Sequence, residues 1–294
     1  MTGAGRGIGR RHALTLAAAG ARVVVNDIGA EPDGTGTSAG PAHDVVAEIR
    51  FNGGEAEVND DDISTWDGAQ RVVQQAVDSF GDLHVLVNNA GILRDRMLVN
   101  MSEDEWDAVM RVHLKGTFNC TRWAGTYWRE RAKAGAVNDA RIINTTSGSG
   151  LFGTPGQANY GAAKAGIAGL TIIAAMELGR YGVTVNAVSP IALTRMTAGL
   201  ELTAGDETEQ DKVDPRWISP VVAWLASARS ADVTGRVFQT SGRYWAVAQG
   251  WHRGPEAMPT DDPDEAEAVL RPLLDAALPN AGPGGVYPEK ARLD

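Results

Sequence analysis

Two stretches decide the fold of this chain: Thr2-Gly3-Ala4-Gly5-Arg6-Gly7-Ile8-Gly9 and Val23-Val24-Val25-Asn26-Asp27. Alternate glycines let a backbone turn sharply and approach a neighbouring group closely. The residues that follow, His12-Ala13-Leu14-Thr15-Leu16-Ala17-Ala18-Ala19, continue as a helix. A helix N-terminus behind such a turn favours negative charge, so Gly3, Arg6, Gly7, Ile8 and Gly9 frame a site for a pyrophosphate. Val23 to Asn26 reads as a buried strand, and Asp27 closes it eighteen residues past Gly9. An acid at that point can bind adenosine ribose hydroxyls and repels a 2′-phosphate, so NAD is expected over NADP. Arg6 and Arg10 are the cations placed to soften that preference.

Outward from there the chain alternates strand and helix. The pattern predicts helices over 42–52 and 67–80 and strands over 55–58 and 85–88. Ser102 reads as an N-cap followed by acids, ahead of a long helix over 106–132 bent at Gly116. Then come a strand over 141–144, a helix over 160–178, a strand over 183–188, a helix over 220–226 and a last strand over 237–239. This is an α/β plan: a Rossmann-type doubly wound parallel sheet in a single domain, residues 1–251, with a partly helical or disordered tail over 252–294. In the expected strand order 3-2-1-4-5-6 the first strand is central, yet only Met1 and Thr2 precede the glycine turn. The first strand is therefore expected to be missing, with the native start upstream, because its loss leaves two inner edges unpaired.

The chemistry is carried by Ser147, Tyr160 and Lys164. Tyr160 and Lys164, four apart, share one face of a helix. A lysine cation beside a phenol favours the phenolate and lowers its pKa. Such a tyrosine can pass a proton to or from an alcohol or ketone, and a serine from a nearby loop can hydrogen-bond the same oxygen.

The glycine turn, Asp27, Asn88-Asn89-Ala90-Gly91, Ser147, Tyr160 and Lys164 occur in that order. In these motifs the chain resembles the short-chain dehydrogenase/reductase family, over about the first 250 residues. The resemblance implies Tyr160 as acid/base, Ser147 as donor to the substrate oxygen, and Lys164 as the group that lowers the Tyr160 pKa and binds the nicotinamide ribose. It further implies Asp62 and Ile63 at the adenine, Asn88 and Ala90 along the adenosine, and Thr194 at the nicotinamide carboxamide. His113 stands where many members carry an asparagine that holds a water in a proton relay with the lysine. Two readings of His113 remain open: it holds that water, or it caps a distorted helix. Asn88 to Arg96 and Val112 to Gly116 are similar to one branch, the (3R)-hydroxyacyl-CoA dehydrogenase unit of peroxisomal multifunctional enzymes. The substrate that the resemblance implies is a (3R)-3-hydroxyacyl thioester such as an acyl-CoA. The alternatives are a hydroxysteroid or other bulky secondary alcohol, or a non-catalytic nucleotide-binding scaffold. Arg94 and Arg96 are candidates for the CoA phosphates, Trp245 and Trp251 for the substrate entrance, and 193–213 for a lid or a plain solvated loop. The resemblance also implies a homodimer or homotetramer built through the helix over 160–178 and the long helix before it.

Composition agrees with this reading. The 294 residues are 43% hydrophobic, enough for one large core, and the net charge of −10 disfavours nucleic acid and anionic membrane surfaces. Cys120 is the single cysteine, which excludes an internal disulfide framework and fits a reducing, cytoplasmic setting. No His/Cys cluster has metal-site spacing, and no leader segment is expected. The uncharged run 165–176 is read as too short to span a bilayer.

Overall fold

The computed structural model describes residues 1–192, 210–250, 253–260, 263–277, 281 and 285. The valine run forms strand β1 (Val23–Asn26), buried on both faces, and pairs in parallel with β2 (Ala56–Asn59). A second sheet holds β3 (Val85–Asn88), β4 (Ala140–Thr145), β5 (Val183–Pro190), β6 (Val237–Thr240) and β7 (Trp245–Ala248), in that order. β3 to β6 are parallel. β7, which the sequence pattern missed, returns antiparallel to β6 as a half-exposed edge.

Met1 and Thr2 lie between the two sheets. Thr2 bridges to Asn26 in parallel, and its N–H donates to the Val87 carbonyl at 3.0 Å. The Asn26 N–H donates to the Met1 carbonyl and the Ala4 N–H to the Asn26 carbonyl, both at 3.0 Å. The spatial order is thus β2-β1-Thr2-β3-β4-β5-β6-β7, the doubly wound order with a stub at its centre.

Helices cover both faces, as buried parallel strands require. On one side α1 (Gly7–Ala18), α2 (Gly40–Phe51) and α8 (Ser219–Leu225) bring Ala13, Leu16, Val45, Ile49 and Val222 against Val25, Val87, Ile143 and Val188. On the other, α3 (Trp66–Phe80), α5 (Gly116–Lys133) and α7 (Ala158–Leu178) bring Val72, Ala124, Trp128 and Ala174 against Leu86, Ile142 and Val185. Cys120 is buried in this second layer. The expected long helix is not continuous. α4 (Glu103–Met110) starts at a capping box between Ser102 and Glu105, and a π-helical turn over Arg111–Lys115 separates it from α5. The distortion lies ahead of Gly116, not at it.

The helical stretch Ala158–Tyr181 is 24 residues long with a mean hydropathy of 1.4, long and apolar enough by composition to cross a membrane. The shorter run of the sequence reading understated it. In this fold the helix packs on β4 and β5 and carries the buried Asn159 and Lys164. The chain divides into two compact units, Met1–Ala248 and Gln249–Asp294. The second contains α9 (Ala266–Ala276), which runs through Pro272 and carries an exposed Glu267–Arg271 pair.

Candidate active site

The glycine turn is built by close approach. Gly3 adopts φ +60°, and a Cβ there would stand 2.6 Å from the Ala90 Cα. A Cβ on Gly9 would stand 1.9 Å from the Gly3 carbonyl oxygen. Thr2 locks this contact: its Oγ1 accepts from the Asn89 N–H at 3.0 Å and the Ala90 N–H at 3.2 Å. The Asn89 amide donates to the Gly3 carbonyl at 2.9 Å. No side chain caps α1, so its first N–H groups face outward beside Gly7 and Ile8. This cradle, which side chains would fill, fits a pyrophosphate.

Asp27 stands beside the turn. Its Oδ2 accepts from the Gly5 N–H at 2.8 Å and its Oδ1 from the Gly29 N–H at 2.7 Å. Arg6 donates to the Ala30 carbonyl at 3.1 Å, and Arg10 pairs with Glu48, so both cations are engaged by protein groups. Asp62 turns its carboxylate onto Ser64, while Ile63 is buried and its carbonyl accepts from Asn119 at 3.1 Å. Asn88 does not line the adenosine side with its side chain. It is buried, and its amide donates to Asn144 at 2.9 Å and Thr121 at 3.2 Å, tying β3 to β4 and α5. Ala90 alone of that pair sits at the turn. Thr194, Trp251 and most of the expected lid lie outside the described residues.

The catalytic corner gathers the other predicted residues. β4 delivers Ser147 as the N-cap of α6 (Gly148–Phe152), and the first turn of α7 delivers Tyr160 and Lys164. The Ser147 hydroxyl accepts from the Ser149 N–H at 3.3 Å and favours the Tyr160 phenolate. Lys164 Nζ lies 5.5 Å from the Tyr160 ring centre and donates to the Thr145 carbonyl at 2.7 Å. The His113 ring meets Tyr160 edge-on at 5.2 Å.

The electrostatics differ from the sequence expectation. Burial raises the Tyr160 pKa above its ordinary value; the Ser147 hydroxyl pulls it down and the Asp95 carboxylate pushes it up. Burial also pulls Lys164 down to about 7, which weakens the cation that was to lower the phenol. His113 is pulled down to about 3, first by burial and then by Lys164, and stays neutral. Its Nε2 lies 2.7 Å from the Ile92 carbonyl oxygen, while the buried Nδ1 has no partner among the described residues. The ring thus ties the π-helical turn to the Ile92 backbone and leaves one buried nitrogen without a partner among the described residues. Gly91 makes room for it, since a Cβ there would stand 2.3 Å from the ring.

Four residues were missed from sequence. Thr2 and Asn89 join the glycine turn to the end of β3. Asn159 is wholly buried; its amide donates to the carbonyls of Arg94 at 2.9 Å and Glu105 at 3.0 Å, and its Oδ1 accepts the Tyr160 N–H at 2.7 Å. Gln157 is described below. The one available signal was an amide directly ahead of the catalytic tyrosine. Arg94 donates to the Asp33 carbonyl and Arg96 pairs with Glu105, so neither guanidinium stands free. Trp245 is exposed on β7 and donates to the Trp217 carbonyl at 3.1 Å.

A tyrosine flanked by serine and lysine beside a dinucleotide turn defines an alcohol–ketone oxidoreductase. The short chain dehydrogenase family model matches residues 1–204, and the chain belongs to that family, an oxidoreductase acting on CH–OH groups. A putative short-chain type dehydrogenase/reductase of Mycobacterium tuberculosis is 47% identical over 84% of this chain and 83% of its own. The hydroxyacyl-CoA dehydrogenase ChsB1 of the same organism is 46% identical over 92% of this chain and 86% of its own. A crystal structure of a short chain dehydrogenase from Mycobacterium avium superposes with a TM-score of 0.85, at 51% identity, covering 98% of this chain and 96% of that one.

Proposed function

We propose that this enzyme interconverts a (3R)-3-hydroxyacyl thioester and its 3-oxo form, with NAD as the hydride carrier. The observation that carries the reading is the convergence of Ser147, Tyr160 and Lys164 in a chain 46% identical to a hydroxyacyl-CoA dehydrogenase. When bound, the nicotinamide takes up or gives the hydride at the carbinol carbon. The glycine turn and the open start of α1 would hold its pyrophosphate, and Asp27 its adenosine ribose. Asp27 would exchange its bonds to the Gly5 and Gly29 N–H groups for ribose hydroxyls, and its charge supports NAD over NADP.

In the oxidative direction the Tyr160 oxygen receives the substrate hydroxyl proton while the Ser147 Oγ holds the same oxygen. Lys164 stabilises the phenolate when charged. His113 Nδ1, buried and without a partner among the described residues, would hold a water on the path by which that proton leaves. The exposed Phe118 and Ile173 on α5 and α7 border a groove of about 540 Å³, and with the exposed Met176 on α7 they support a homo-oligomer through this face. The buried thiol of Cys120 suits a reducing interior such as the cytoplasm.

The test is NADH formation from paired (3R)- and (3S)-3-hydroxyacyl-CoA. Turnover of the 3R isomer alone supports the thioester reading. No turnover of either, with NAD still bound, rejects it in favour of steroids or other secondary alcohols. NAD binding without turnover of any alcohol would point to a scaffold.

A further inference from the structure

A short polar chain outside the Ser147–Tyr160–Lys164 set connects all three of the segments that build the catalytic corner. The Gln157 amide nitrogen donates to Asp95 Oδ2 at 2.7 Å, and its oxygen accepts from the Ser149 hydroxyl at 2.6 Å. The Thr154 hydroxyl donates to Ser149 at 3.1 Å. The backbone repeats the link, for the Arg96 N–H donates to the Gly156 carbonyl at 2.8 Å and Arg96 bridges to Gln157 in parallel. Asn159 closes the far end on the Arg94 carbonyl. Gln157 itself is buried, three residues before Tyr160, and Ser149 lies two residues after Ser147.

Burying an amide costs free energy unless both ends are matched. Here both are matched, and the two partners fix which end points where: N–H toward Asp95, carbonyl toward Ser149. The carboxylate therefore has a definite place beside the start of α7 although its residue is exposed.

We propose that Gln157 and Asp95 are positioning residues for catalysis: Gln157 holds the Ser147 and Tyr160 segments in register, and Asp95 sets the charge against which Tyr160 works. This rests on the reading of Tyr160 as acid/base. Among the described residues four groups bear on Tyr160. Ser147 approaches from α6, Lys164 from the same helix, the neutral His113 from the π-helical turn, and Asp95 from the loop after β3. Arg96, next to Asp95 in sequence, is neutralised by Glu105. Held on the Gln157 amide at 2.7 Å, three residues ahead of Tyr160, Asp95 is among the described residues the anion that opposes the phenolate.

Asp95→Asn separates charge from hydrogen bonding, because an asparagine oxygen still accepts from Gln157. Two readouts follow. The Tyr160 titration, taken as the phenolate absorbance difference between each protein and its Tyr160→Phe counterpart, should move to lower pH in Asp95→Asn. The limb of kcat/KM for alcohol oxidation that follows Tyr160 should move the same way. Gln157→Leu should lower kcat at least tenfold, with KM for NAD unchanged, and Gln157→Glu should not restore it, because a carboxylate cannot donate to Asp95. A titration unmoved in Asp95→Asn overturns the charge role, and a Gln157→Leu protein with unchanged kcat overturns the register role. If instead the titration moves while no secondary alcohol is turned over, the positioning stands and the assigned reaction fails.

Discussion

The nucleotide turn and the catalytic corner adjoin through Ala90 and Gly91 but are made in opposite ways. The turn is made by leaving side chains out: Gly3, Gly5 and Gly9 sit where a Cβ would collide with Ala90, Asp27 or the Gly3 carbonyl. The corner is made by burying polar side chains, with Asn159, Lys164 and His113 each hydrogen-bonded to backbone carbonyls. Backbone geometry holds the first and side-chain bonding the second. Damage to the turn should appear as lost stability and cofactor affinity, whereas damage to the corner should appear as lost turnover in a protein that still folds.

The strongest way to break that distinction is Tyr160→Phe. It keeps the ring against His113 and removes only the proton carrier. Turnover should fall by about 100- to 10,000-fold. NAD affinity, read by fluorescence titration, should hold; a matching collapse of affinity would show that the two regions are not separable. Gly9→Ala is the counterpart in the turn. A methyl 1.9 Å from the Gly3 carbonyl oxygen must displace backbone, so stability should drop by about 1–3 kcal/mol in denaturant unfolding and NAD binding should weaken with it.

Acid sharpens the comparison because each region buries one neutral histidine. His12 on α1 bonds Ser219 Oγ at 2.8 Å and is pulled by burial to about 3, as His113 is. Between that value and the ordinary 6.5 the unfolded chain binds protons that the folded chain refuses. Stability should therefore fall as pH drops below about 6.5, by about 1.4 kcal/mol per pH unit for each histidine. His12→Gln and His113→Gln should each remove about half of that slope in urea melts run from pH 7 to pH 4. An unchanged slope in either variant would place the acid sensitivity elsewhere. The smallest effect belongs to Arg10→Ala. Its ion pair with Glu48 is exposed, so unfolding should change by less than about 1 kcal/mol, and a larger loss would make α1 depend on side chains after all.

How much of this was legible in the sequence follows the same division. The glycine turn, β1 and the Tyr160–Lys164 pair were readable because their logic is local: close approach, a buried run, one helical turn. The pairings of Gln157 with Asp95, Asn159 with Glu105, Asn88 with Asn144 and Thr2 with Asn89 were not, since these bonds span 54 to 87 positions and no periodicity announces them. The π-helical turn over Arg111–Lys115 was also hidden, because those residues suit an ordinary helix. The tuning of Tyr160 was misread because its neighbours in sequence name a cation, while the burial that weakens the cation and raises the phenol is a property of the folded layers.

The placement of Thr2 gives one residue two tasks. Its backbone bridges to Asn26 on one side and donates to the Val87 carbonyl on the other. The side chain of that same residue holds Asn89 and Ala90 against Gly3. Thr2 is a rivet set at the mouth of the pyrophosphate cradle: the residue that fastens β1 to β3 is also the one that shapes the turn.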